Sequence, residues 1–255
     1  MLSEILYEDD HVKWVVFARD PKRPDYVVDT NEYLLIADGK GMLLDPGGLE
    51  IFPEVVSAVS DHIKMDDVTI LFGSHQDPDI ISSLPLWLGA CPRAKAYVPW
   101  TWTSFISHFG CEPGQLIAVP DEGLSLALSD RHSVELIPAH YLHASGNLHV
   151  YDARAKILFS GDVGAALLPA DEQALFVENF TGHTRYMEGF HRRWMPSEAA
   201  RDAWLEQVRR LDIGLMCPQH GSIFKGGAVT EFLDWFAALT LGAAIGSNRG
   251  VATAA

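Results

Sequence analysis

The feature that most constrains this chain is a short apolar run that ends in a row of ligand-type side chains. Val68-Thr69-Ile70-Leu71-Phe72 is β-branched, aliphatic and brief, the pattern of a buried strand. Gly73-Ser74 stops it, and His75, Asp77 and Asp79 follow at alternate positions. Alternation at the C-terminal edge of a strand aims all three polar groups into one mouth, within the slack that a turn allows. One imidazole with two oxygen ligands suits a hard or borderline cation such as iron, manganese or zinc. The stretch reads as half of a metal site, so the fold must bring the other half to the same edge.

Three later stretches share the layout of apolar strand, abrupt turn and potential ligand. Residues 137–147 carry His140 and His143, residues 157–162 end in Ser160-Gly161-Asp162, and residues 215–221 end in Pro218-Gln219-His220-Gly221. Each alone is weak evidence, because a histidine at a strand end is most often a hydrogen-bonded structural residue and Ser-Gly-Asp is a common turn. Four such endings in one chain are a different matter.

With 255 residues and 48% hydrophobic composition the chain can bury a large core. Its formal charge of −15 repels phosphate backbones and anionic membranes, which argues against nucleic-acid and membrane partners. Cys91, Cys111 and Cys217 are odd in number and far apart, fitting a reducing compartment better than a disulfide framework. No basic region followed by an apolar one opens the chain, and no stretch is long and apolar enough to span a bilayer, so a cytoplasmic protein is expected.

In chain order, strands are expected at 12–17, 33–37 and 42–45, with a proline-bearing turn at 20–24 and a tight hairpin at 39–41. A helix over 53–63, the strand over 68–72, and a helix over 79–88 kinked or shortened by Pro85 follow. Then come a short strand at 96–99 and an aromatic segment, 100–109, of helical character. The second half repeats the style with strands at 115–119, 133–138, 148–151 and 156–160, then a long polar excursion over 169–196. A helix capped by Ser197, a strand at 213–217, a helix over 229–241 and a frayed tail from 246 close the chain. Strands in hairpins first, helices after, twice over, point to an α/β (α+β) fold, a four-layer αββα sandwich, and no linker divides residues 1–255.

The ordered set of Asp45, His75-x-Asp77-x-Asp79, His143, Asp162 and His220 resembles the metallo-β-lactamase fold over nearly the whole chain. Within it the likeness is to the diiron domain of flavodiiron proteins and to the related stand-alone oxygen-binding diiron proteins. Zinc hydrolases of this fold, such as the glyoxalase II type, carry histidine where Asp77 stands, and the diiron branch carries a carboxylate. The stretches 142–147 and 159–162 are also similar to the diiron branch. The resemblance implies one iron on His75, Asp77 and His143, a second on Asp79 and His220, and Asp162 bridging them, with zinc or manganese as the alternative metals. Three carboxylates nearly neutralise a diferrous pair, and oxygen-rich ligation suits iron that must become ferric.

The chain departs from that pattern at Ile80, where the family usually has a further histidine, so the second iron is expected to have an open position. Flavodiiron proteins continue into a flavodoxin-like domain, which is not expected here, so electrons must come from an external electron-transfer partner, or a signalling protein must read the site. The resemblance implies a protein that binds O2 or another small diatomic such as NO, as a carrier, sensor or reductase, and a homodimer. A dinuclear hydrolase of thioesters or lactones is the alternative. His140 and His149 are read as supporting the ligands rather than joining them. Residues 184–195, basic and aromatic in an acidic protein, are read as a surface loop on the last helices or as a lid or dimer contact, with Tyr186, His191 and Trp194 the candidates. Trp100 and Trp102 are expected in core or interface packing.

Overall fold

The computed structural model describes residues 1–20, 27–169, 171, 172 and 174–245. The expected turn at 20–24 lies outside the described residues save for Asp20, and so does the tail from 246.

Two sheets form the centre. The first is ordered β1 (Leu2–Glu8), β2 (Val12–Ala18), β3 (Glu32–Ala37), β4 (Lys40–Leu44), β5 (Val68–Phe72), β6 (Lys95–Pro99) and β7 (Leu116–Val119). Its first four strands pair antiparallel, and from β4 onward the pairing is parallel. The second is ordered β13 (Phe224–Lys225), β12 (Leu215–Pro218), β11 (Ile157–Gly161), β10 (Leu148–Asp152), β9 (His132–Pro138) and β8 (Leu124–Ser129), antiparallel apart from β11 against β12.

Strand alternation decides the layers. Trp14, Val16, Tyr33, Leu35, Met42 and Phe72 point between the sheets, where they meet Leu136, Val150 and Phe159. Val15, Phe17, Leu34, Leu43 and Leu71 point the other way, against α1 (Phe52–Ser60), α2 (Pro78–Ile81) and α3 (Leu84–Ala90). The outer face of the second sheet packs on α5 (Phe180–Trp194), α6 (Glu198–Val208) and α7 (Gly227–Ala238). Both faces of the central strands are buried, so they read as continuous apolar runs rather than alternating ones. The four-layer αββα arrangement is as expected from the order of elements.

Three local readings are corrected. The helix over 79–88 is two pieces, α2 and α3, with Pro85 in the first turn of α3, where its missing N–H costs nothing. Residues 100–109 form only short turns around α4 (Thr103–Ile106), and Trp100 is half exposed rather than in the core, its Nε1–H donating to Asp121. The excursion over 169–196 contains the 15-residue helix α5, not a loop. Asn179 caps it by accepting from the Gly182 N–H, and His183, Met187 and His191 form its buried stripe at four-residue spacing. Two of those three are histidines, which masked the helical period. β1, an exposed edge strand, and β8, whose leucines alternate at 124, 126 and 128, are two further strands beyond those expected.

Candidate metal centre

Four strand ends converge at one mouth. β5 leads through Gly73 and Ser74 to His75, Asp77 and Asp79; the turn after β9 carries His143; β11 leads to Asp162; β12 leads to His220. Main-chain bonds lock these ends together across both sheets. The Leu148 N–H donates to the Ser74 carbonyl at 3.1 Å, Gln219 N–H to Gly161 at 2.8 Å, and Asn31 N–H to Gln219 at 2.6 Å. Asn31 Nδ2 also donates to the Pro218 and Gly221 carbonyls, holding the His220 turn against β3.

Asp162 lies at the centre. Its Oδ2 is 2.9 Å from His143 Nε2 and 3.5 Å from His75 Nε2, while its Oδ1 is 3.4 Å from His220 Nε2. Asp77 Oδ2 lies 3.3 Å from His143 Nε2 and 3.6 Å from His75 Nε2. Asp79 Oδ2 lies 3.3 Å from His220 Nε2. The six side chains thus form two clusters that share one carboxylate, each cluster facing a different oxygen of it. Donor atoms of His75, Asp77, His143 and Asp162 all fall within 4.8 Å of one another.

The electrostatics are those of a place prepared for positive charge. Burial alone pushes the His75 imidazole down, but the Asp162 and Asp77 carboxylates outweigh it and carry it up to about 10. His143 is likewise disfavoured by burial and raised by Asp162 and Asp77, to about 9. His220 is held well above its ordinary range by Asp162 and Asp79 against the same burial penalty. Asp77 and Asp162 are held below the ordinary carboxylate range by the facing imidazoles, again against burial. His75 Nε2 and Asp162 Oδ1 are nonetheless buried with no hydrogen-bond partner. Buried polar atoms are nearly always paired, and a cation between these groups meets that need for both. Histidine and carboxylate donors of this kind suit iron, manganese or zinc.

The back of the site is braced. His220 Nδ1 lies 2.8 Å from the Asp29 carbonyl, which accepts only from an N–H, so the proton sits on Nδ1 and Nε2 is free to ligate. His75 Nδ1 lies 2.9 Å from Ser74 Oγ, and that hydroxyl donates to Asp45 Oδ2 at 2.6 Å. Asp45 Oδ1 accepts the Ser74 N–H at 2.7 Å. Burial pushes the Asp45 carboxyl up to about 7, against the pull of His75 and Ser74. Asp45 was visible in the sequence as the end of a strand and as the first member of the family-like set, but only the fold shows that it braces a histidine thirty residues on.

The supporting candidates separate clearly. His140 turns away, with Nε2 2.8 Å from the Asp121 carbonyl and Nδ1 accepting the Asn147 N–H, so it braces the His143 turn. His149 is buried and accepts the Trp204 Nε1–H on its Nδ1 at 3.0 Å. Burial lowers it to about 3, so it stays neutral. Phe190 and Trp194 on α5 set their rings edge-on to His143, with centroids 6.1 and 5.4 Å away. His191 is fully buried behind them, and the Tyr186 carbonyl accepts the Leu167 N–H. Trp102 donates to the Gly146 carbonyl at 2.6 Å, pinning the same turn from the first sheet. Ile80 is fully buried in the apolar cluster under α1 and α3.

Among the described residues, no helix is long and apolar enough to cross a membrane. A family model described as the ODP family beta lactamase matches residues 28–221. The chain is 39% identical to a structure of the chemotaxis sensor ODP in a peroxy diiron state, with a TM-score of 0.85 over 95% of this chain and 97% of that one. A variant flavo-di-iron protein from Thermotoga maritima shares the fold at 20% identity and a TM-score of 0.77, over 92% of this chain and 60% of that one. An uncharacterized protein of Methanocaldococcus jannaschii is 24% identical over 210 residues, 80% of this chain; the chain spans about half, 52%, of its length. By the extent of the family match and the sensor's identity over nearly its whole length, the chain belongs to the ODP family of beta-lactamase-fold proteins.

Proposed function

We propose that this protein is an oxygen-binding diiron protein that works as a sensor. His75, Asp77 and His143 would hold one iron and Asp79 and His220 the other, with Asp162 offering one oxygen to each group. The observation that carries this reading is the division of Asp162, one oxygen facing the His75–His143 pair and the other facing His220. When bound, two ferrous ions supply the reducing electrons and open positions with which a diatomic ligand such as O2 is taken up. The chain's own residues supply the rest. Three carboxylates nearly balance two divalent charges, the braces on His75 and His220 set the direction of their Nε2 atoms, and Phe190 and Trp194 shield the His143 side from bulk water. Asp77, at the position where zinc hydrolases of this fold carry histidine, favours iron over zinc.

The sensing role rests on similarity to a chemotaxis sensor over almost the full length of both chains. A signalling protein is therefore the proposed partner, ahead of an electron donor. Residues 1–255 are read as one domain acting as a homodimer in the cytoplasm.

Metal analysis of protein purified without oxygen, with optical spectra before and after air, tests the proposal. About two irons per chain and a new near-ultraviolet to visible band on oxygenation are expected. Zinc in place of iron, with no spectral response and robust thioesterase or lactonase activity, would move the assignment to a hydrolase.

A further inference from the structure

The segment that follows Asp162 is bonded to α5 at two points. The Gly164 N–H donates to His191 Nε2 at 3.0 Å, and the Leu167 N–H donates to the Tyr186 carbonyl at 3.1 Å. Between them the Ala166 N–H donates to the His220 carbonyl at 3.1 Å. Residues 162–167 therefore run from the shared carboxylate, past the backbone of a second site residue, and onto the helix.

His191 is fixed at its own end as firmly as a side chain can be. It is fully buried, with ring centroids 5.4 to 5.9 Å from those of Phe232, Trp235 and Phe236. Its Nδ1 lies 2.8 Å from the Met187 carbonyl, which forces the proton onto Nδ1 and leaves Nε2 as a pure acceptor. The turn it meets is equally constrained. Gly164 has φ +98°, and a Cβ there would stand 2.7 Å from Met216 Cε and 2.9 Å from the Phe224 ring. The same helix lays Phe190 and Trp194 against His143. One element thus touches the centre twice, through the turn behind the bridging carboxylate and through the ring of a histidine.

We propose that His191 is a positioning residue for the metal centre: by accepting the Gly164 N–H it fixes the turn that presents Asp162 to both clusters, and it makes α5 move with that turn. The inference rests on the dinuclear reading above. Its consequence is that metal occupancy is communicated to α5, whose exposed residues include Arg192 and Arg193.

The test is an anaerobic Co(II) titration of the full chain and of two variants. His191→Phe keeps an aromatic ring among Phe232, Trp235 and Phe236 but removes the acceptor. His191→Gln restores an acceptor at about the reach of Nε2. We expect the Phe variant to bind Co(II) about 10- to 100-fold more weakly, the usual effect of losing a group that orients a ligand, with shifted d–d bands. The Gln variant should return affinity and bands toward those of the unaltered protein. Wild-type affinity and bands in the Phe variant overturn the proposal, as does equal impairment of both variants, which would make His191 a packing residue. Hydrogen exchange on the unaltered protein gives a reading that needs no variant. Amides of α5 should gain protection on Co(II) addition, and unchanged exchange there defeats the coupling. If the unaltered protein fails to take two Co(II) ions, the dinuclear reading itself is what has failed.

Discussion

On the His143 side of Asp162, four donor atoms lie within 4.8 Å of one another, and His75 is backed by the Ser74 hydroxyl and the buried Asp45 carboxylate. On the His220 side, among the described residues, Asp79 and His220 join the shared group, the Asp79 side chain is one-third exposed at 34%, and the His220 ring is backed by a main-chain carbonyl rather than by a chain of side-chain bonds. The residue after Asp79, Ile80, faces the apolar core rather than the mouth. The same sheet edges thus build one cluster of four donor residues and one of three, counting Asp162 in both. Ligand number and preorganised support both raise metal affinity. On the proposed assignment the two ions would therefore be held unequally.

Because Asp162 belongs to both clusters, Asp162→Ala should abolish the difference by emptying both. Metal content is expected to fall from about two ions per chain to well below one, measured by elemental analysis of the folded variant. Retention of two ions would show that the carboxylate is not shared. A sharper probe removes one histidine from each side. His220→Ala should leave about one ion per chain, and His75→Ala well below one, since the ion left to it would sit on the less well supplied side. Identical stoichiometries for the two variants would erase the inequality.

The brace behind His75 comes next in size. Asp45→Asn, nearly isosteric at a fully buried position, should weaken the first ion about 10- to 100-fold in competition with a chromophoric chelator, while the second changes less. Ile80→His tests the short side directly. An imidazole in an apolar cluster lacks a partner without metal, so the metal-free variant should lose about 1–3 kcal/mol of stability, seen as a lower Tm. Added metal should stabilise it no more than it stabilises the unaltered protein, because position 80 points into the apolar core; extra stabilisation by metal would show that the imidazole has turned into the mouth.

The smallest effect on the centre belongs to the far end of β10. There Asp152 accepts from Trp14 Nε1 at 2.8 Å and lies 3.1 Å from His132 Nε2. Burial alone would raise its carboxyl, but His132 and Trp14 hold it below the ordinary carboxylate range. A depressed folded value gives stabilisation that is present above about pH 4, the unfolded value, and is lost as pH falls through the folded one. Asp152→Asn should cost about 1–3 kcal/mol at neutral pH and flatten the acid limb of the unfolding profile, with metal content unchanged. Metal loss in this variant would mean that the centre is sensitive to the sheets as a whole rather than to its own braces.

The sequence by itself determined the αββα order of elements and four strand-end stretches that carry potential ligands, because a short apolar run ending at a turn before His or Asp is a local signal that needs no tertiary information. Choosing His75, Asp77, Asp79, His143, Asp162 and His220 within those stretches rested on the resemblance to the diiron branch of the fold, and the structure gathers all six at one mouth. Only the tertiary structure decided how the two oxygens of Asp162 divide between the clusters, which histidines turn away, and what stands behind those that remain. His140 and His143 are three residues apart, yet one faces Asp121 and the other Asp162, a choice made by the turn between β9 and β10 and by Trp102 from the other sheet. Helix α5 was unreadable for a related reason. Its inward stripe uses His183 and His191, polar in composition; His191 becomes a core residue because backbone groups satisfy both its ring nitrogens, and His183 packs on the Phe224 ring. Direction and partnership are properties of packing, and packing is not written at any one position.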